Sequence, residues 1–201
     1  MTRLPLFPLA TVLFPGGPLQ LRVFERRYLD MVRDCARDGA PFGVCLILAG
    51  REAGEAAVPA AVGTSARITD FFTREDGLLG ISAVGERRFH VDAVQARDSG
   101  LLVGQVRWLD PEPGGGVPVP AQHGLLATML RDLLERFDDL PDDAALLDDA
   151  DWVAWRLAEI LPLSPADRQV LLQLDEADAR LDRLAQWLPR IRGGDDAPAA
   201  G

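Results

Sequence analysis

The sequence predicts an α+β fold, an N-terminal antiparallel β-rich lobe with one early helix followed by a C-terminal α-helical lobe. Three observations predict it. Apolar residues before position 110 recur mostly with the two-residue period of strands, and those after position 120 with the period of helices. Between them lies Pro-Glu-Pro-Gly-Gly-Gly-Val-Pro-Val-Pro, residues 111–120, a composition that supports neither element. The expected organisation is a β lobe over 1–110, a linker over 111–120, a helical lobe over 121–192 and a disordered tail over 193–201.

Taken in order, the stretch from Leu4 to Phe24 is apolar but interrupted by Pro5, Pro8, Pro15 and Pro18. An interior proline removes a helical donor and clashes with the preceding turn, so short strands joined by Pro15-Gly16-Gly17-Pro18 are expected. From Glu25 the period changes. Tyr28, Met31, Val32 and Cys35 fall at i, i+3, i+4 and i+7, an amphipathic helix that Gly39 is placed to end. Phe42 to Leu48 reads as a strand covered on both faces, and Gly50 to Ala61 as a loop. Strand-like runs begin at Val62, Leu78, Arg88 and Leu101, with turn signals at Glu75-Asp76-Gly77, Gly85-Glu86 and Asp98-Ser99-Gly100. An antiparallel meander follows from that spacing.

Beyond the linker, helical stripes run through Leu126, Met129, Leu130, Leu133, Leu134 and Phe137, then Val153, Leu157, Ile160 and Leu161, then Leu181, Leu184, Leu188 and Ile191. A fourth, short helix begins at Ser164-Pro165-Ala166-Asp167. Ser164 suits the N-cap, Pro165 the first helical position, and Asp167 adds negative charge in the first turn.

Composition excludes several activities. All 21 basic side chains are arginine, so a phosphate loop ending in Gly-Lys-Ser/Thr, a Schiff-base lysine and a serine–lysine dyad are impossible. The formal net charge of -10 disfavours polyanion binding. It is unevenly placed: residues 1–110 hold 13 arginines and 13 acids, and residues 111–201 hold 8 and 18. Cys35 and Cys45 sit among apolar neighbours and read as buried thiols in a reducing compartment. The prolines near the N-terminus do not suit a signal peptide, and no run approaches 18 apolar residues, so a cytoplasmic location is expected.

Three stretches resemble the N-terminal, substrate-binding domain of the Lon protease family. The first is Leu4-Pro5-Leu6-Phe7-Pro8-Leu9, with Val12-Leu13-Phe14-Pro15-Gly16 and Val23-Phe24-Glu25-Arg26-Arg27-Tyr28. The second is Val62-Gly63-Thr64-Ser65-Ala66-Arg67-Ile68, with Gly85-Glu86-Arg87-Arg88-Phe89. The third runs from Leu161-Pro162-Leu163-Ser164-Pro165-Ala166-Asp167-Arg168-Gln169 to Arg180-Leu181. The resemblance implies a PUA-like first lobe, a helical second lobe and recognition of protein substrates, in the small stand-alone bacterial form without ATPase or peptidase parts. An RNA-associated PUA-like protein is the alternative.

Polypeptide recognition needs an apolar groove or an available strand edge. Candidate peptide-binding residues are Phe14, Pro15, Leu21, Phe24, Glu25, Arg26, Phe71 and Phe72. The expected partner is unfolded or extended polypeptide, or a protein partner; nucleic acid and membrane are not expected. Arg87, Arg88 and His90 are the most basic short stretch, but on a strand the two arginines point to opposite faces. The acids from Asp138 to Asp151 fail the EF-hand pattern, because the sixth and twelfth residues from Asp138 are Asp143 and Asp149. His90, His123, Cys35 and Cys45 share no metal-ligand spacing. Gly80-Ile81-Ser82-Ala83-Val84 lacks the second glycine of a nucleophile elbow, and Ser65, Ser99 and Ser164 have no matching histidine constellation. No catalytic residue, cofactor or metal is expected. Trp152 and Trp155 fall off their helix's main stripe, and with Trp187 they read as inter-lobe packing or a partner surface.

Overall fold

The computed structural model describes residues 2–50, 57–109, 116–136 and 144–193. Part of the expected 50–61 loop, the first half of the linker, Phe137 with the acids up to Asp143, and the tail from 194 lie outside the described residues. The chain divides into two compact units, Met1–Pro113 and Gly114–Gly201.

The first unit has strands β1 (Thr2–Leu9), β2 (Pro18–Val23), β3 (Phe42–Ala49), β4 (Val58–Thr73), β5 (Leu79–Ala96) and β6 (Leu102–Trp108), with helix α1 (Arg26–Asp38) between β2 and β3. They form one sheet in the order β2-β5-β4-β3-β1-β6, and β6 pairs back onto β5. Five strands thus close into a ring, and β2 lies outside it. Four neighbouring pairs and the closing pair are antiparallel, but β1 and β3 are parallel, from Leu6 opposite Gly43 to Leu9 opposite Leu46. The sheet is therefore mixed rather than a simple meander. A parallel pair needs a crossover, and β2 with α1 supplies it.

Closure depends on the length of β5. Its first half pairs with β2 and its second half with β6. The turn expected at Gly85-Glu86 is absent, because Gly85 lies inside this continuous strand. Its missing side chain serves a close approach instead. Gly16 donates its N–H to the Gly85 carbonyl at 2.8 Å, Gly85 donates to the Gly17 carbonyl at 2.9 Å, and a Cβ on Gly85 would collide with the Phe14 carbonyl oxygen. Opposite this point the β4–β5 register shifts between Thr64 and Ala66, forming a bulge. The Ser65 hydroxyl accepts from the Arg87 N–H at 3.1 Å and donates to the Arg87 carbonyl at 3.3 Å, so the bulged main chain stays bonded.

Alternation along β1 feeds two apolar clusters. Leu4 and Leu6 pack with Cys45, Phe89, Val91 and Val106. Phe7 and Leu9 pack with β2, β5 and the inner face of α1, where Tyr28, Met31, Val32 and Cys35 are buried as their spacing predicts. The two-sided cover expected for β3 is present too, since Val44 joins one cluster and Cys45 the other. Helix α1 ends at Gly39, whose φ of 61° is the left-handed cap conformation and whose N–H bonds to the Cys35 carbonyl.

The second unit contains α2 (Gly124–Leu134), α3 (Ala150–Ile160), α4 (Pro165–Gln173) and α5 (Ala177–Gly193), with single 3₁₀ turns at Ala121–His123 and Ala144–Asp148. The predicted stripes bury Leu126, Leu130, Val153, Leu157, Leu181 and Leu184. Ser164 caps α4 as expected, accepting the Asp167 N–H at 3.1 Å. Trp155 is buried under the Arg180 guanidinium, 4.0 Å from its ring, and Arg180 in turn pairs with Asp151. Arg168 donates to the Glu159 carbonyl at 3.1 Å and holds the Leu161-Pro162-Leu163 turn in place.

Candidate functional site

Strand β2 begins at Pro18, a residue with no main-chain donor, and among the described residues pairs with β5 alone, from Pro18 opposite Val84 to Val23 opposite Leu79. Every other main-chain N–H and C=O of such an edge strand points away from its neighbour. Its side chains alternate: Leu21 and Val23 are buried, Leu19 is half-buried, and Gln20 and Arg22 are exposed.

Beside this strand runs a cleft of about 370 Å³. Phe7 and Leu9 of β1, Leu19 and Leu21 of β2, and Tyr28 of α1 give it apolar walls, while Thr11, Gln20, Arg22 and Glu25 make the rest polar. The Phe7 and Tyr28 rings are stacked, with centroids 3.9 Å apart. Phe24, at the end of β2, is 53% exposed and also lines the cleft. The Arg22 guanidinium lies 5.6 Å from its ring centroid and pairs with Asp76 at 3.2 Å. Glu25 pairs with Arg27 at 2.9 Å, and Arg27 also donates to the Gly100 carbonyl at 3.2 Å and lies over Tyr28. These contacts fix the start of α1 against the β5–β6 turn. An open strand edge next to an apolar cleft suits one kind of ligand, an extended chain that bonds through its main chain and seats alternate side chains.

Of the residues singled out from sequence, Leu21, Phe24 and Glu25 line this cleft. Phe14 does not. It is fully buried as part of the loop that crosses Gly85, so the expectation of a peptide contact there is corrected to a packing role. Pro15 is half-buried in the same loop, and Arg26 is exposed and paired with Asp30 at 3.2 Å. Phe71 and Phe72 lie on β4 away from the cleft lining; Phe71 is 46% exposed, and Phe72 lies across Gly80. Phe7, Leu9, Leu19, Arg22 and Tyr28 line the cleft as well, although they are not among the residues expected from the sequence. The alternation of Leu19, Leu21 and Val23 marks one face of β2, but only topology reveals that this strand has one neighbour.

The other reactive side chains are engaged elsewhere. Arg88 is 3% exposed and Arg87 lies over Trp108 at 4.9 Å, so the basic stretch does not form one cationic surface. Ser82 sits within β5 opposite Gln20. Burial pushes the Cys35 thiol up to about 11, helped by Asp34 and Asp38, and the more deeply buried Cys45 to about 12. Among the described residues one cluster has a donor set suited to a metal: His123, Asp178 and Asp182.

Residues 3–190 match the family model for the substrate-binding domain of ATP-dependent protease La (LON). The chain belongs to the LON substrate-binding domain family. It is similar to the crystal structure of a Lon N-terminal domain protein from Xanthomonas campestris, with 51% identity over 94% of this chain and 100% of the other and a TM-score of 0.80. The N-terminal domain of a Mycobacterium avium complex Lon protease shares the fold, with a TM-score of 0.68 at 19% identity over 92% of this chain and 97% of that one.

In this LON substrate-binding domain the residues that carry the family resemblance mostly build the frame. Phe14 to Gly17 form the loop across Gly85, Ser65 and Arg87 secure the bulge, and Ser164, Arg168 and Arg180 hold the helical unit. The exceptions all come from the first stretch, where Phe7, Leu9, Phe24, Glu25 and Tyr28 line the cleft. No helix among the described residues is long and apolar enough to cross a membrane.

Proposed function

We propose that this protein is a non-catalytic module of the cytoplasm that binds unfolded or extended polypeptide, or an extended segment of a protein partner, in the cleft along β2. One observation carries the proposal: among the described residues the edge of β2 is unpaired on the side away from β5, and it lies next to an apolar cleft with an exposed aromatic, Phe24, at its end. Membership of a family described by substrate binding supports the same reading. The bound segment adds main-chain hydrogen bonds to β2 and places apolar side chains against Phe7, Leu19 and Tyr28. The acidic second unit contributes solubility. The RNA-associated reading gains no support from the basic stretch, because Arg88 is buried.

Amide hydrogen exchange tests the location. Addition of a permanently denatured model protein should slow exchange within residues 18–23 and leave β4 unchanged. Uniform exchange with and without the polypeptide would overturn the proposal.

A further inference from the structure

We propose that His123, Asp178 and Asp182 form a binding site for a first-row divalent transition cation such as Zn²⁺. His123 closes the 3₁₀ turn before α2 and is 4% exposed. Asp178 and Asp182 stand one turn apart on α5, on the same face of the helix, with 55% of each side chain exposed. The His123 Nε2 lies 2.9 Å from Asp178 Oδ1 and 3.2 Å from Asp182 Oδ1, and the three donor atoms lie within 4.8 Å of one another.

Three physical points favour a cation there. A ring nitrogen carries at most one proton, which serves one acceptor well, yet two carboxylate oxygens converge on this one, and the further donor beside them, the Gln122 amide, reaches only Asp178 and only at 3.4 Å. Among the described residues neither carboxylate has another cationic partner. A neutral imidazole with two carboxylates carries two negative charges, which a divalent cation balances and a proton does not.

The geometry and donor type narrow the choice of ion. A tetrahedral site with bonds of about 2.0–2.1 Å separates its ligands by roughly 3.3–3.4 Å, so small outward rotations of two exposed aspartates admit the ion. The buried imidazole forms the floor, and the solvent side leaves room for water as the remaining ligand. One nitrogen and two oxygens suit Zn²⁺ and its first-row neighbours better than Mg²⁺ or Ca²⁺, which prefer oxygen alone. The competing arrangement is an imidazolium paired with the two aspartates. Sequence spacing among histidines and cysteines alone pointed to no metal, because the carboxylates come from a helix more than fifty residues away.

The test is calorimetric titration of the full chain with ZnCl₂ together with ¹H–¹⁵N spectra of the imidazoles. The protein has only two histidines, and His90 serves as the internal control. The proposal expects one-to-one binding, a shift of the His123 ring resonances with those of His90 unmoved, and retention of Zn²⁺ in excess Mg²⁺. Asp182→Asn, at an exposed position, should weaken binding at least about tenfold without unfolding the protein. Absence of binding, or binding that neither moves His123 nor responds to Asp182→Asn, would mean an imidazolium ion pair or diffuse association with the acidic surface, and would overturn it.

Discussion

The ring of Tyr28 lies flat on that of Phe7, with centroids 3.9 Å apart and planes within 7° of parallel. This contact joins α1 to β1 and forms one wall of the cleft, so the same pair holds the helix in place and shapes the site. Tyr28 is 5% and Phe7 6% exposed. Tyr28→Ala should therefore cost about 3–5 kcal/mol, the range for removing a buried aromatic. In urea unfolding the midpoint should fall while the slope stays constant.

Gly85 has a different kind of sensitivity. The loop from Phe14 to Gly17 crosses directly over it, and the atom a Cβ would strike is main chain, which cannot rotate away. Gly85→Ala should destabilise by about 1–3 kcal/mol through overpacking, although alanine is normally tolerated in a strand better than glycine. Equal urea midpoints for variant and wild type would show that the loop yields freely.

Both thiols should be inert in the folded protein. Cys35 is raised to about 11 and Cys45 to about 12, from an ordinary value of 9.0, chiefly by burial. At pH 8 a thiol-exchange reagent should react slowly with the native chain and rapidly with both cysteines after denaturation. The sign of the linked stability follows. Above pH 9 the unfolded chain releases these thiol protons and the folded chain retains them, so their contribution to stability falls as pH rises from about 9 towards 11–12. Chemical denaturation across that window, compared with a Cys35→Ala and Cys45→Ala double variant, isolates the effect.

The local features of this fold are legible in the sequence because local chemistry fixes them. The burial of Tyr28, Met31, Val32 and Cys35 follows from their spacing, Gly39 ends the helix because it tolerates the left-handed conformation, and Ser164 caps α4 through its own hydroxyl. The long-range features are not legible. Nothing in β1 or β3 declares that they pair in parallel across an intervening helix. Gly85 carries the signal of a turn, whereas its real constraint is a loop 70 residues earlier in the chain. The cleft shows the same division: Leu21 and Phe24 stand out in a local reading, but Phe7 and Tyr28 become site residues only when β1 and α1 meet.

Fluorescence anisotropy of a labelled, permanently denatured protein is the decisive measurement for the proposed binding of extended polypeptide along β2. Binding should be saturable, with a Kd on the order of micromolar. Phe24→Asp, which puts a charge into the cleft, should weaken binding at least about tenfold, since an unpaired charge in an apolar contact costs well over 1 kcal/mol. Phe71→Asp, at a comparably exposed phenylalanine outside the cleft, should leave it unchanged. No binding up to high micromolar concentration, or equal effects of the two substitutions, would rule out β2 as the site of polypeptide binding.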